Sequence, residues 1–497
     1  MNNQEANQNS EAEPTPDKIE SRKQVPKKKF IIIATAVVVV LFGAFVVFML
    51  VRGGDQEAGA NGDANTSHFS GNHKADANGL VDARALECVP RGHDYYRTEN
   101  TLLVDPTNAN TVYVGVEYKG VFKSTDGGTT WAQSDKGIRG YPKEAVPTEK
   151  CIQEMGRMIV DPKDNKHLLL TRVESPGTLE TLFSENAGVW ESFNAGASWS
   201  QMIKPGMNAS GSRAIAFDPK NSSIVYHGTN QMHPSFTNGN GDAVNKQYFN
   251  KDGILYKTSN GGSNWAELPT GAFPGFRTIN VAVDPTNSSK LWLFTFTAPE
   301  EGGPVPEDKQ KAVLISEDGG KTWNSLASKL PSGYRTLTDG MLSPVDGNNA
   351  FIITMTIGSQ PKSFATTDGG QTWVQSNEYI FSANFDTNDP SGKRMLGYAP
   401  YSNRPGIYES IDGGVKWTYY SALPKEVDGK NNFGVRIASF AWSKADKNVV
   451  YMTGSGGYVW KSGNKGKDWN TVMTLEKIGG PNKNKDGNIK SREQDPN

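Results

Sequence analysis

The chain has 497 residues, of which 53 are glycine and 27 proline, and its 52 basic side chains nearly cancel 53 acidic ones, leaving a formal net charge of -1. That balance carries none of the basic bias of a nucleic-acid binder, so no nucleic-acid partner is expected. The length is enough for one large repeat domain.

Residues 1–29 are rich in Asn, Gln, Glu and Lys and nearly free of aromatics, a composition that buries no core, and they are read as a disordered tail. Phe30 to Val51 is an unbroken run of 22 apolar or small residues, long enough to cross a bilayer as one helix. Arg22, Lys23, Lys27, Lys28 and Lys29 precede this run, whereas Asp55, Glu57 and Asp63 follow a lone Arg52. The positive-inside rule then keeps the N-terminus cytoplasmic and exports the rest, giving a single-pass protein of the cell membrane. A cleaved signal peptide with a small-residue site at Ala58-Gly59-Ala60 is the competing reading. The run exceeds a usual signal-peptide core and the site lies well past its end, so an uncleaved signal anchor is expected.

Residues 52–85 hold Gly, Ala, Asn, Asp, Ser and His and read as a flexible stalk, in which His68 and His73 have no fixed geometry for a metal. Cys88 and Cys151 are the two cysteines of the chain, both on the exported side where disulfides persist. Pairing them would staple the first repeat to the second if their Cα atoms come within bridging distance. Zinc would need more ligands than their neighbourhood offers.

From residue 86 to 477 the chain is organised by one eight-residue pattern, Ser124-Thr125-Asp126-Gly127-Gly128-Thr129-Thr130-Trp131. Six further copies begin at Ser192, Thr258, Ser316, Thr366, Ser410 and Ser462 and end at Trp199, Trp265, Trp323, Trp373, Trp417 and Trp469. Such periodicity marks stacked supersecondary units. A hydroxyl opens every copy, a Trp closes it, and one Gly never varies: Gly128, Gly196, Gly262, Gly320, Gly370, Gly414 and Gly466, as expected where the backbone takes positive φ. The acidic position holds Asp126, Asn194, Asn260, Asp318, Asp368, Asp412 and Asn464. Because Asn keeps the acceptor and loses the charge, this side chain is expected to accept backbone N–H groups within a buried turn rather than to act in catalysis.

The pattern resembles the Asp-box, or bacterial neuraminidase repeat, of sialidases, xyloglucanases, sortilin-type receptors and photosystem II assembly factors. The resemblance implies β-propeller blades and leaves function open. Before each copy lies a strand-turn-strand unit, clearest in Leu102–Asn108 followed by Thr111–Gly115, with turns at Asp105-Pro106, Asp161-Pro162, Asp218-Pro219, Asp284-Pro285 and Ser343-Pro344. Four antiparallel strands per repeat and seven repeats give an all-β, seven-bladed propeller preceded by one transmembrane helix.

Strand alternation assigns the loops. The turns joining first to second and third to fourth strands share one face, and the remaining connections share the other. Long connections fall on that second face: Ala132 to Gly156, Arg172 to Ala187, Thr229 to Asp252 and Thr297 to Lys311. Binding usually lives on such loops. Arg97, Arg157, Arg213, Arg277, Arg335 and Arg436 stand near the start of the innermost strands, so they are expected to gather at the mouth of the funnel and hold an anionic ligand, with Arg277 and Arg335 at similar heights. The equally open alternative is that they cap strand ends and pair with acids such as Glu99 or Glu154.

A glycoside hydrolase of sialidase or xyloglucanase type is the rival function. The chain lacks the Arg-Ile-Pro with which sialidases open, and it has one propeller where xyloglucanases form a catalytic cleft between two. Sortilin-type receptors have ten blades and a Cys-rich module, which this chain lacks, while the single-domain photosystem assembly factors resemble it in plan. Asn238-Gly239-Asn240-Gly241-Asp242 lacks the bidentate Glu of a calcium loop and reads as a loop tip, and His227 and His233 read as surface residues. No cofactor or metal is expected, and residues 478–497 read as a disordered tail. The function expected is that of a non-catalytic binding or assembly scaffold for an extracytoplasmic protein or glycan.

Overall fold

The computed structural model describes residues 101–116, 120–138, 154–173, 188–202, 211–229, 253–271, 276–297, 310–331, 333–355, 362–427 and 435–478, all within a compact unit that runs from Asp55 to Asn497. The N-terminal tail, the run at 30–51, the stalk, Cys88, Cys151, Arg97, His233, the 238–242 segment, most of the four long connections and the C-terminal tail beyond 478 lie outside the described residues. Among the described residues no helix is long and apolar enough to cross a membrane, and the helical pieces are two 3-10 turns at Ala327–Lys329 and Glu476–Ile478.

Seven four-stranded antiparallel meanders make up the structure, each strand pairing with the next in sequence. Blade 4 shows the plan with strands Phe276–Val283, Leu291–Thr297, Val313–Ser316 and Asn324–Ser325. Its second strand, Leu-Trp-Leu-Phe-Thr-Phe-Thr, is buried along its whole length, whereas the short polar fourth strand is exposed. An apolar run buried on both faces at the middle of a sheet and a polar edge outside follow from sheets stacked side by side.

The first strands are Leu103–Val104, Glu154–Val160, Gly211–Phe217, Phe276–Val283, Thr336–Leu342, Ser382–Phe385 and Ile437–Trp442. Those of blades 1 and 2, 2 and 3, 3 and 4, 4 and 5, 6 and 7, and 7 and 1 lie against one another, which places them innermost. Seven apolar clusters fill the seven seams. One of them, with Leu102, Val104 and Val112 from blade 1 and Tyr451, Val459 and Met473 from blade 7, closes the ring. Closure uses packing plus bonds such as Tyr451 Oη to Ala109 O at 2.9 Å, and each terminal blade keeps its own four strands. The fold is a seven-bladed β-propeller.

The repeat turn is held as its sequence implies. In blade 1, Ser124 Oγ accepts the Gly128 N–H at 2.8 Å and donates to Asp126 Oδ1 at 2.8 Å, while Asp126 accepts the Thr130 N–H at 2.9 Å. The Asn copies do the same, as in Ser198 N–H to Asn194 Oδ1 at 2.8 Å. In every blade the residue after the Asp or Asn donates its N–H to the first turn of the same blade, as Gly127 does to Asn110 O at 2.9 Å and Lys465 to Asn448 O at 2.8 Å. Both turn families therefore share one face.

One expectation needs correction. Asp126 is exposed and Ser124 is buried, so the enclosed member of the turn is the hydroxyl rather than the carboxylate. The reason is geometric: the serine Oγ reaches inward to the turn's own amides, while the Asp spans its outer rim. The closing tryptophans are not alike. Trp199 and Trp417 are buried and the other five half-buried, and the Nε1 atoms of Trp265 and Trp373 have no hydrogen-bond partner.

Candidate binding site at the inner-strand collar

The amide that closes the first turn marks an equivalent position in every blade: Asp105, Asp161, Asp218, Asp284, Ser343, Asp386 and Ser443 each bond the carbonyl at the start of the second strand. Four residues upstream of these stand Thr101, Arg157, Ala214, Asn280, Asp339, Ser382 and Ser439. All but Ala214 are polar. Arg157 Nη1 donates to Asn280 Oδ1, a bond from blade 2 to blade 4 that passes over blade 3, where the small Ala214 stands. Only side chains close to the propeller axis can skip a blade. Asn280 then donates to Gly340 O of blade 5 at 2.8 Å, and Ser382 Oγ to Ile437 O of blade 7 at 3.0 Å. These residues form a polar collar round the inner strands.

Just beyond the collar, five first strands change register: between Met155 and Met158, opposite the stretch from His227 to Thr229, and between Thr278 and Asn280, Leu337 and Asp339, and Ile437 and Ser439. A bulge resets side-chain alternation and re-aims what precedes it. These are the blades whose described first strands carry an arginine at their start, and the first strand of blade 6, which has none, pairs without a shift.

The bulges decide where the predicted arginines go. Arg157 is a collar residue itself, and Arg213 sits within the bulge of the Gly211–Phe217 strand. Arg277 and Arg436 fall at the same position, one residue before the start of the bulge in blades 4 and 7, whereas Arg335 lies one residue farther out. The expectation that Arg277 and Arg335 share a height is therefore wrong. Alternation places Arg335 on the opposite side of its strand, and the true pair is Arg277 with Arg436.

Each of that pair rests on an aromatic ring. The Arg277 guanidinium lies 5.8 Å from the Phe296 centroid, its direct cross-strand partner, and Arg436 lies 5.5 Å from Phe381. Among the described residues no carboxylate pairs with Arg277, its buried Nε has no acceptor, and burial pushes its pKa down to about 10. A cation so placed has lost water without gaining a counter-ion. Beside Arg436, Tyr379 stacks on the half-exposed Tyr401 at 6.0 Å and 13°. Tyr379 is held above the ordinary phenol range by burial and by Tyr401, and Arg436 opposes that rise. On the neighbouring loop, Arg404 covers Tyr419 at 3.5 Å.

Sequence reasoning missed Asn280, Asp339, Phe296, Tyr379 and Tyr401. A polar residue four positions before six of the seven turns was a readable signal for the first two. The aromatic partners depend on register and were not readable.

No family model matches the chain. Xyloglucanase Xgh74A of Acetivibrio thermocellus is 24% identical over 221 residues, covering 39% of this chain and 26% of that protein. Among solved structures, the GH74 enzyme of Niastella koreensis superposes with a TM-score of 0.52 at 14% identity, covering 76% of this chain and 54% of that one. An ancestral GH74 enzyme gives 0.50 at 16% identity, with coverage of 77% and 48%. The chain thus spans about half the length of these solved relatives and about a quarter of the curated one. At such identities the likeness is one of fold.

Proposed function

We propose that this chain is a membrane-anchored, extracytoplasmic Asp-box propeller that binds an anionic ligand, carried by a glycan or a protein, at the open end of its collar. The observation that carries the reading is Arg277: a half-buried guanidinium near the start of an inner strand, seated on Phe296, with Nε lacking an acceptor. An incoming carboxylate or sulfate would supply the missing charge and make charge-assisted bonds in a partly desolvated site. Arg436, at the same level in blade 7, adds a second cation beside the Tyr379–Tyr401 stack. Anchorage rests on the run from Phe30 to Val51 and its flanking charges. Protease applied to intact cells should remove the propeller, and full protection would refute that topology.

The test of binding is an array of sulfated, carboxylated and neutral glycans together with acidic peptides, probed with the full-length chain and with Arg277→Gln. Retention of acidic probes by the parent and their loss in the variant is the expected outcome. Equal retention by both would refute the site.

The likeness to GH74 enzymes favours a second reading, a glycoside hydrolase. Hydrolysis needs two carboxylates about 5–9.5 Å apart. The collar supplies one, Asp339, among its described residues. Turnover of a xyloglucan oligosaccharide or chromogenic glycoside, abolished by one carboxylate substitution, would establish the hydrolase instead.

A further inference from the structure

Opposite the collar, on the face of the repeat turns, blades 2 and 6 share a construction absent among the described residues of the other five. In blade 6 the residue that opens the second strand is Arg394, whose Nη1 meets Asp386 of the first turn at 2.6 Å and whose Nε meets Glu409 of the third strand at 2.8 Å. In blade 2 the equivalent residue is His167. Its Nδ1 meets Asp161 at 2.8 Å and its Nε2 meets Glu191 at 2.8 Å. The same two carboxylate positions thus grip a permanent cation in one blade and a titratable one in the other. Blades 1, 3 and 7 replace the acid of the third strand by Lys123, Lys257 and Lys461, each over a tyrosine ring.

We propose that His167 is a proton-dependent clamp on the turn face, closed while its imidazole is charged and half open when it is neutral. Both ring nitrogens face carboxylate oxygens, and a neutral imidazole has one N–H, so deprotonation leaves one carboxylate against a lone pair. The clamp reaches beyond its own strand. Asp161 also accepts from Ser222 of blade 3, and the ring meets Phe217 of that blade edge-on at 5.3 Å, so the seam between blades 2 and 3 depends on it. Phe193, 64% exposed on the adjoining repeat turn, stacks on the imidazole at 4.6 Å and 15° and gains a cation–π contact when the ring is charged. Among the described residues, Asp161 and Glu191 are the charged groups that face the ring, and blade 3 contributes Phe217 against the ring and Ser222 against Asp161.

The direction of the pH effect follows. Burial draws the His167 pKa down, but the bonds from Glu191 and Asp161 outweigh it and hold it above its ordinary 6.5. A base whose folded pKa is raised contributes stability that is complete below pH 6.5 and is lost as pH rises through the folded value. Arg394 does not titrate in that range, and the blade 6 clamp stays shut.

The test compares thermal melts of the full-length chain and of His167→Arg between pH 6 and 9. The parent should lose at least about 2 °C more than the variant across that span, because arginine converts the clamp to the blade 6 type. The reciprocal Arg394→His should steepen the loss. Parallel pH profiles for parent and His167→Arg would overturn the proposal. Should either variant fail to fold, histidine NMR of the parent decides: a His167 resonance titrating above 6.5 supports the clamp, and one at or below that value refutes it.

Discussion

Gly128 of blade 1 lies so close against Val472 of blade 7 that a Cβ on the glycine would stand 2.6 Å from the valine Cβ. An equally close approach recurs at the other seams, with Gly196 on Ser134 Oγ, Gly262 on Met202, Gly320 on Leu268, Gly370 on Leu326, Gly414 on Phe351 and Gly466 on Leu396. Gly128 also holds φ at 93°. Gly128→Ala should therefore destabilise by about 2–5 kcal/mol, from left-handed strain and overpacking together. Gly261→Ala is the control, because φ there is 64° and nothing lies within 4 Å of the added Cβ. It should cost about 1–2 kcal/mol, the strain alone. Denaturant midpoints giving equal losses would refute the seam argument.

Ser124→Ala removes the buried Oγ that accepts the Gly128 N–H and should cost about 1–3 kcal/mol. Asp126→Asn should leave the melting temperature nearly unchanged, since Asn194, Asn260 and Asn464 perform the same task with the same oxygen. A larger loss from Asp126→Asn than from Ser124→Ala would reverse this order.

These turns mark how far the sequence could be read. Gly, hydroxyl and Asp/Asn recur because each meets a local backbone demand, and local demands repeat with the chain. Comparison of the copies even separates the two glycines. Ala195 and Lys465 tolerate φ of 55° and 62° in the first place, whereas the second place holds 81° to 102° against a neighbouring blade. Register shifts leave no such trace. A bulge changes pairing without requiring any particular residue, so the offsets of Arg157, Arg277 and Arg335 from their turns could be counted but not converted into directions. The clamp at His167 was hidden for a related reason: Asp161 and His167 face each other across the first turn, but Glu191 lies on the third strand, and only sheet pairing brings it to the imidazole.

His227 titrates in the opposite sense from His167. It is buried in the second strand of blade 3 with Nδ1 3.0 Å from Ala214 O, and burial pushes its pKa down to about 4. The sequence reading placed it on the surface, but the Val225–Thr229 strand is enclosed on both faces. A base with a depressed folded pKa contributes stability above its unfolded pKa of 6.5 and loses it as pH falls toward 4. The full loss is about 3 kcal/mol. His227→Gln should flatten the stability profile between pH 6.5 and 4, and an unchanged acid slope would show that other groups set it.

Arg277 sets stability against binding. Its guanidinium is held over Phe296 with Nε lacking an acceptor and its pKa lowered by burial, so the free protein carries an uncompensated cost at that position. Methionine fills similar volume without a charge, and replacing a buried ion by a packed apolar side chain is often neutral or stabilising. Arg277→Met should therefore raise the unfolding free energy by about 1–3 kcal/mol, as expected when a site is kept for function at the expense of stability. The same substitution should weaken binding of a sulfated or carboxylated glycan about ten- to a hundredfold, the value of one charge-assisted contact. Calorimetric melts and glycan titrations on the same two proteins measure both quantities. A methionine variant that is less stable, yet binds the acidic glycan as tightly as the parent, would make Arg277 a structural residue and remove the basis for an anion site at the collar.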